Sequence, residues 1–251
     1  MDIAVEMLVL LFAVAMLAGF IDAVAGGGGL LTIPALIFAG VPPVQTLGTN
    51  KLQGSFASFS AAFHFLRSGM LDIRRMPLMI TTVFFSAALG SWAVQRVDNQ
   101  FLMTLMPIGL IAIALYSFFS KGLGKTETAA KLTDRQFSVT AAPAIGFYDG
   151  FFGPGTGTFL AISFVKLKGM AFVRATAHAK VLNFTSNITA LTVFVVGGKV
   201  LWLVGIVMAI GAFLGGRIGA GMVINKGASF VRIITVVVCV AMSVSLIYKQ
   251  L

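Results

Sequence analysis

This sequence is poor in cysteine, histidine, acid and, for its length, charge of any kind. A single cysteine, Cys239, excludes an internal disulfide framework and a multi-cysteine metal site, and two histidines, His64 and His178, supply no zinc set. No P-loop, dinucleotide fingerprint or serine nucleophile elbow is present, so neither a cofactor, a metal nor an enzymatic activity is expected. Tyr148-Asp149 resembles the first half of an intramembrane aspartyl protease signature. The Gly-x-Gly-Asp half is missing, however, and Asp22 precedes its glycines.

Only 10% of the 251 residues are charged, against 58% hydrophobic, and mean hydropathy is +0.99. That excludes a soluble globule. A hydrocarbon core about 30 Å thick takes roughly 20 apolar residues per helix, room for about ten spans and little else. The net charge of +10 forms no basic patch interleaved with stacking aromatics. It punctuates the hydrophobic runs instead, which makes it a topology signal and leaves nucleic acid out. Glu6 and Asp2 replace the positive flank of a secretory signal, so the first run is expected to remain as a span.

Apolar runs fall at about 3–25, 30–40, 52–66, 76–95, 101–119, 137–152, 157–165, 181–196, 200–222 and 229–248. The expected fold is all-α: a polytopic membrane protein of about ten helical elements. The second and seventh runs are too short to cross a bilayer, and each follows a glycine-rich break, Gly26-Gly27-Gly28-Gly29 or Gly153-Pro154-Gly155-Thr156-Gly157. Both read as half-helices or re-entrant pieces. The polar stretch 120–136 divides the chain into a first repeat, 1–119, and a second, 137–251. Gly19-Phe20-Ile21-Asp22 recurs as Gly146-Phe147-Tyr148-Asp149, and Lys51 and Lys180 each open the span after the short run, the ordered trace of a duplication.

With five elements per half, the second repeat is inverted. Alternating elements then place only Arg96, Lys199 and Lys249 on one side and the remaining loop cations on the other, so the linker is cytoplasmic and both termini are periplasmic. If the short elements merely dip and return, each half becomes even and the repeats parallel.

Four consecutive glycines in lipid are tolerable only where the chain lines an enclosed or watery cavity. Helix N-termini behind such breaks attract anions, and glycine permits close approach to the main chain. The candidate substrate contacts are therefore Gly26, Gly28, Gly29, Gly153, Gly155 and Thr156. Close helix packing is the competing explanation for the small residues. Lys51 and Lys180 are isolated cations inside apolar sequence, where an unpaired charge costs at least ~2.5 kcal/mol. Thr49, Asn50, Gln53 and Asn183 add neutral donors beside them, with His178 as a further candidate. Thr185, Ser186 and Asn187 add further donors, of which Ser186 and Asn187 serve equally well as interhelical glue, and His64 reads as structural. Asp22 and Asp149 either brace the broken helices or carry a coupling proton.

The runs Gly26-Gly27-Gly28-Gly29-Leu30-Leu31-Thr32-Ile33-Pro34, Leu47-Gly48-Thr49-Asn50-Lys51-Leu52-Gln53, Gly146-Phe147-Tyr148-Asp149-Gly150-Phe151-Phe152-Gly153-Pro154-Gly155 and Ala175-Thr176-Ala177-His178-Ala179-Lys180-Val181-Leu182-Asn183 resemble the TauE/SafE family, in particular its YfcA-like branch. That resemblance implies a secondary transporter of the bacterial inner membrane, with two inverted repeats, that moves small sulfur-containing anions such as sulfite, sulfoacetate or related organosulfonates. Expected partners are that substrate and membrane lipids, with a homodimer left open. An anion channel and a non-transporting scaffold are the alternatives. Thiosulfate-handling relatives place cysteines by their glycine loops; this chain has none there.

Overall fold

The computed structural model describes residues 4–119 and 126–226, and every regular element among them is helical. In order they are α1 (Val5–Ala25), α2 (Gly29–Phe38), α3 (Pro43–Arg67), a 3-10 turn at Ile73–Arg75, α4 (Pro77–Val94), α5 (Asn99–Phe119), α6 (Asp134–Val139), α7 (Ala141–Phe151), α8 (Thr156–Lys168), α9 (Phe172–Val196) and α10 (Trp202–Lys226). The run expected at 229–248, Cys239 and the first part of the linker lie outside the described residues.

Helices over Val5–Val24, Pro77–Val94, Phe172–Val196 and Trp202–Val223 are long and apolar enough to span a bilayer. Side chains are distributed as lipid requires. Phe85, Leu89 and Ile108 are exposed, as are Leu203 and Ile206, while Asn50, Lys51, Gln53, Asp149 and Lys180 are buried. A soluble protein would reverse both sets. This is a multi-pass membrane protein.

Two boundaries differ from the hydropathy reading. α3 and α9 begin well before the runs at 52 and 181, so Lys51 and Lys180 do not open their helices: each is the ninth residue of 25. The polar turns ahead of them face protein rather than lipid, and hydropathy cannot register a helix whose interior face is polar. The run at 137–152 is two helices, because α6 starts inside the linker at a Thr133–Gln136 capping box and the chain breaks at Thr140.

Glycine seams fix the helix directions. Gly211, Gly215 and Gly219 of α10 lie against the carbonyls of Phe12, Met16 and Phe20, so α1 and α10 run parallel. A Cβ at Gly215 would sit 1.8 Å from the Met16 oxygen, which is the close small-residue packing usual between membrane helices. α3 follows the same direction, with Leu52 beside Gly205 and His64 beside Gly221. On the other flank Gly146 and Gly150 of α7 meet Val83 and Ala87 of α4, again in parallel. α9 runs against α3, with Gly48 near Phe194 and Gly54 near Asn187.

α1 and α2 form a hairpin, since Leu36 and Val41 pack beside Leu11 and Ala15 in one cluster. α7 and α8 form another: Phe137 and Ala142 pack with Leu160 and Phe164. Their glycine tips meet. A Cβ at Gly26, which has φ +78°, would fall 2.1 Å from the Thr158 nitrogen, and one at Gly157 would fall 2.6 Å from the Gly26 Cα. Positive φ at Gly26, Gly153 and Gly155 makes the two reversals possible.

Candidate anion site at the hairpin tips

Asp22 lies in the last turn of α1 and Asp149 in the last turn of α7, each four residues before its tip glycine, Gly26 or Gly153. Lys51 and Lys180 approach from α3 and α9. The ion pairs cross between the halves of the chain: Lys51 Nζ lies 2.7 Å from Asp149 Oδ1, and Lys180 Nζ 2.8 Å from Asp22 Oδ2. Both lysine side chains are 1% exposed. An ammonium held this deep requires a counter-charge, and each finds it on the other half's broken helix.

The two carboxylates are not held alike. Asp149 Oδ1 accepts from Lys51 and from the Thr156 hydroxyl at 3.0 Å, while Oδ2 accepts from the Ser186 hydroxyl and, at 3.4 Å, from the Asn183 amide. Lys51 also donates to the Asp149 carbonyl. Asp22 accepts from Lys180 and, at 3.5 Å, from the Gly28 amide, and its side chain is 13% exposed against 2% for Asp149. One pair is a packed clamp and the other is a looser one.

Between the tips is a cavity of about 20 Å³. Gly26, Gly28 and Gly29 line it from the first tip, Gly153, Gly155 and Thr156 from the second, and Asn50, Gln53 and Asn183 from the long helices, with both aspartates. Its neutral polar groups are already organised: Asn50 Oδ1 accepts from Thr32 at 2.6 Å and from Gln53 at 2.8 Å. A Cβ on Gly29 would meet Pro154 and the Asn50 amide, so the main chain approaches closely from both sides.

The structure brings these candidates together and leaves two elsewhere. The Thr49 hydroxyl accepts from the Leu201 amide and so ties α3 to the start of α10. His178 Nδ1 is 2.8 Å from the Arg174 carbonyl, and its ring faces a separate cavity of about 620 Å³ beneath the linker segment Glu127–Asp134. Both residues lie two positions before a site lysine, and i, i+2 neighbours point to different sides of a helix. Thr32 and Gly157 were not singled out from sequence, although Thr32 is a lone hydroxyl in an otherwise apolar run. Ser186, read there as a donor beside the lysines or as interhelical glue, bonds the Asp149 carboxylate from α9 to α7.

The profile of the family described as sulfite exporter TauE/SafE matches residues 11–246. The chain belongs to the TauE/SafE family. A probable membrane transporter protein of Haemophilus influenzae is 42% identical over 250 residues, covering 100% of this chain and 98% of that one. The probable membrane transporter protein YfcA of Escherichia coli K12 is 46% identical over 240 residues, 96% of this chain and 89% of its own length. A third relative, the probable membrane transporter protein YunE of Bacillus subtilis, is 21% identical over 266 residues, 96% of this chain and 97% of the relative. No solved structure gives a match. This TauE/SafE protein is a membrane transporter of the YfcA-like kind, and its relatives are named as transporters rather than enzymes.

Proposed function

We propose that the protein is a secondary transporter of the bacterial inner membrane that exports small sulfur-containing anions, such as sulfite, sulfoacetate or a related organosulfonate, by alternating access. The observation that carries this reading is the pair of reciprocal Lys–Asp bridges, each tying one hairpin to the long helix of the other half beside the glycine-lined cavity. The helix directions support two inverted repeats: exchanging α1, α3 and α10 for α7, α9 and α4 reverses every axis. On this topology the linker is cytoplasmic, the N-terminus is periplasmic, and each hairpin enters from its own side of the membrane. Each hairpin as a whole dips and returns, leaving α3, α4 and α5 as the three crossings of the first half, the odd number that inversion needs.

A cavity of about 20 Å³ accommodates roughly one water, so a sulfonate enters only when the tips part. Parting them separates a lysine from its aspartate and exposes an ammonium to the incoming oxyanion. Asp22 has fewer donors and more exposure than Asp149, which makes Lys180 the cation released first and Asp22 the carboxylate able to take up a coupling proton. Lys51 and Asp149 hold the second tip in place meanwhile. For an anion the inside-negative potential favours export by about 2.3 kcal/mol per charge per 100 mV.

The test is a thermal-stability screen of purified protein with sulfite, thiosulfate, sulfoacetate, isethionate and taurine. Anions that bind the folded state raise its melting temperature, by the equivalent of about 2.7 kcal/mol at 100 times Kd. Sulfite or sulfoacetate is expected to stabilise, taurine least because its ammonium cancels the charge, and Lys180→Ala to abolish the effect. Equal stability with and without all five ligands would overturn the assignment.

A further inference from the structure

Every acidic side chain among the described residues can be accounted for, and of the described arginines that pair with no carboxylate two, Arg67 and Arg217, line one cleft. Asp22 and Asp149 hold the site lysines, Asp72 pairs with Arg75, Glu127 with Arg174, and Asp134 with Lys168. Asp98 accepts from the Gln100 and Phe101 amides at the start of α5. Glu6 sits in the first turn of α1, and the only acidic side chain outside the described residues is Asp2, ahead of it. Because α1, α3 and α10 run parallel, Glu6 lies at the opposite end from the last residue of α3, Arg67, and from Arg217 in the later part of α10. Among the described residues no carboxylate side chain pairs with either arginine.

Arg67 and Arg217 share a small cleft between α3 and α10, of about 30 Å³, with Ser60, Phe63, His64 and Phe213. The Arg67 guanidinium lies over the Phe63 ring, 4.4 Å from its centre, which fixes the planar group facing the cleft. The Ser60 hydroxyl is committed to the Phe213 carbonyl at 2.9 Å and pins the two helices together there. Arg217 stands six residues before the end of the apolar stretch Trp202–Val223, about 9 Å along the axis. A cation at that depth reaches for the headgroup layer or finds an anion. The surface running from the cleft toward the bilayer interior is apolar and exposed: Phe56 and Phe59 on α3, Ile210 and Leu214 on α10.

We infer that this cleft binds the phosphate of an anionic phospholipid, with Arg67 and Arg217 on the phosphate oxygens and the acyl chains along the α3–α10 groove. Two planar guanidinium groups with no described carboxylate paired to them match a phosphodiester in geometry and sign. The apolar runway below them matches a tail, which a soluble anion has no use for. Basic clefts between membrane helices recognise lipid headgroups by this combination. The site is independent of the hairpin tips, so it stands or falls without reference to the transported substrate.

Native mass spectrometry of detergent-purified protein, titrated with phosphatidylglycerol and phosphatidylcholine at equal concentration, tests it. Wild type is expected to retain phosphatidylglycerol about 10-fold better. The double variant Arg67→Gln/Arg217→Gln is expected to lose that preference, while Arg96→Gln, an exposed arginine stacked on Trp92, keeps it. Arg217→Lys, which keeps the charge without the fork, should retain part of the preference and guards against misfolding of the double variant. An unchanged preference in the folded double variant overturns the inference. So does displacement of the bound lipid by millimolar inorganic phosphate, which would make the cleft a site for soluble anions.

Discussion

Asp149 and Asp22 differ in how many donors hold them, and that difference sets what each can do. Removing a partner from a buried ion pair leaves a bare charge and costs about 3–5 kcal/mol, so Asp149→Ala should sharply lower stability against denaturant in detergent. Asp22→Ala should cost less, because its side chain is 13% exposed and has two donors rather than four. Replacing both members of the clamp, Lys51→Met with Asp149→Leu, should recover most of the stability without recovering transport. The same unfolding curves check all three. The four charged residues were legible in sequence because an isolated charge in apolar sequence demands a role. Their pairing was not, since the order of the repeats gives equivalence but not partners. Thr49 and His178 were grouped with the lysines by nearness in sequence, yet two residues turn a helix through roughly 200° and carry the side chain to another face.

The hairpin, rather than the half-helix, is the element on which the site depends. α2 has ten residues and α8 thirteen, and each returns along the helix that precedes it. Gly26 and Gly157 let the two reversals touch. Gly69 offers a comparison, since it has φ +70° with nothing within 4 Å of a built Cβ. Gly69→Ala should then cost only the backbone strain, about 1–2 kcal/mol. Gly26→Ala adds a collision with the opposite tip and should abolish substrate-induced stabilisation even where folded protein is recovered, as ligand-dependent melting would reveal. Glycine breaks were visible in the sequence because a bilayer forbids them without cause. The true starts of α3 and α9 were not, because Thr46, Asn50, Thr176 and His178 lower hydropathy while facing inward, where lipid sets no requirement.

Among the described residues a cluster of charged and polar groups is buried while large apolar side chains face outward, and two sets of helices run in opposite directions. Inversion assigns the linker and the α9–α10 turn to opposite sides of the membrane. In a Cys239→Ser background, Thr128→Cys should react with an impermeant maleimide only in inside-out vesicles and Gly198→Cys only in intact cells. Labelling of both from one side would remove the inverted topology. Composition was enough to read membrane class, since it reports on the solvent. It says nothing of which helices touch: the α1–α10 and α4–α7 seams join elements far apart in the chain, and only their glycines hint at it. The central claim, that two lysines released in turn from aspartates of the opposite half bind the transported anion, is tested most directly by counterflow of labelled sulfite or sulfoacetate in proteoliposomes. Loss of a charge-assisted contact worth about 3 kcal/mol predicts at least roughly 100-fold weaker exchange for Lys180→Ala and for Lys51→Ala; exchange at the wild-type rate in both variants, reconstituted to equal density, would contradict it.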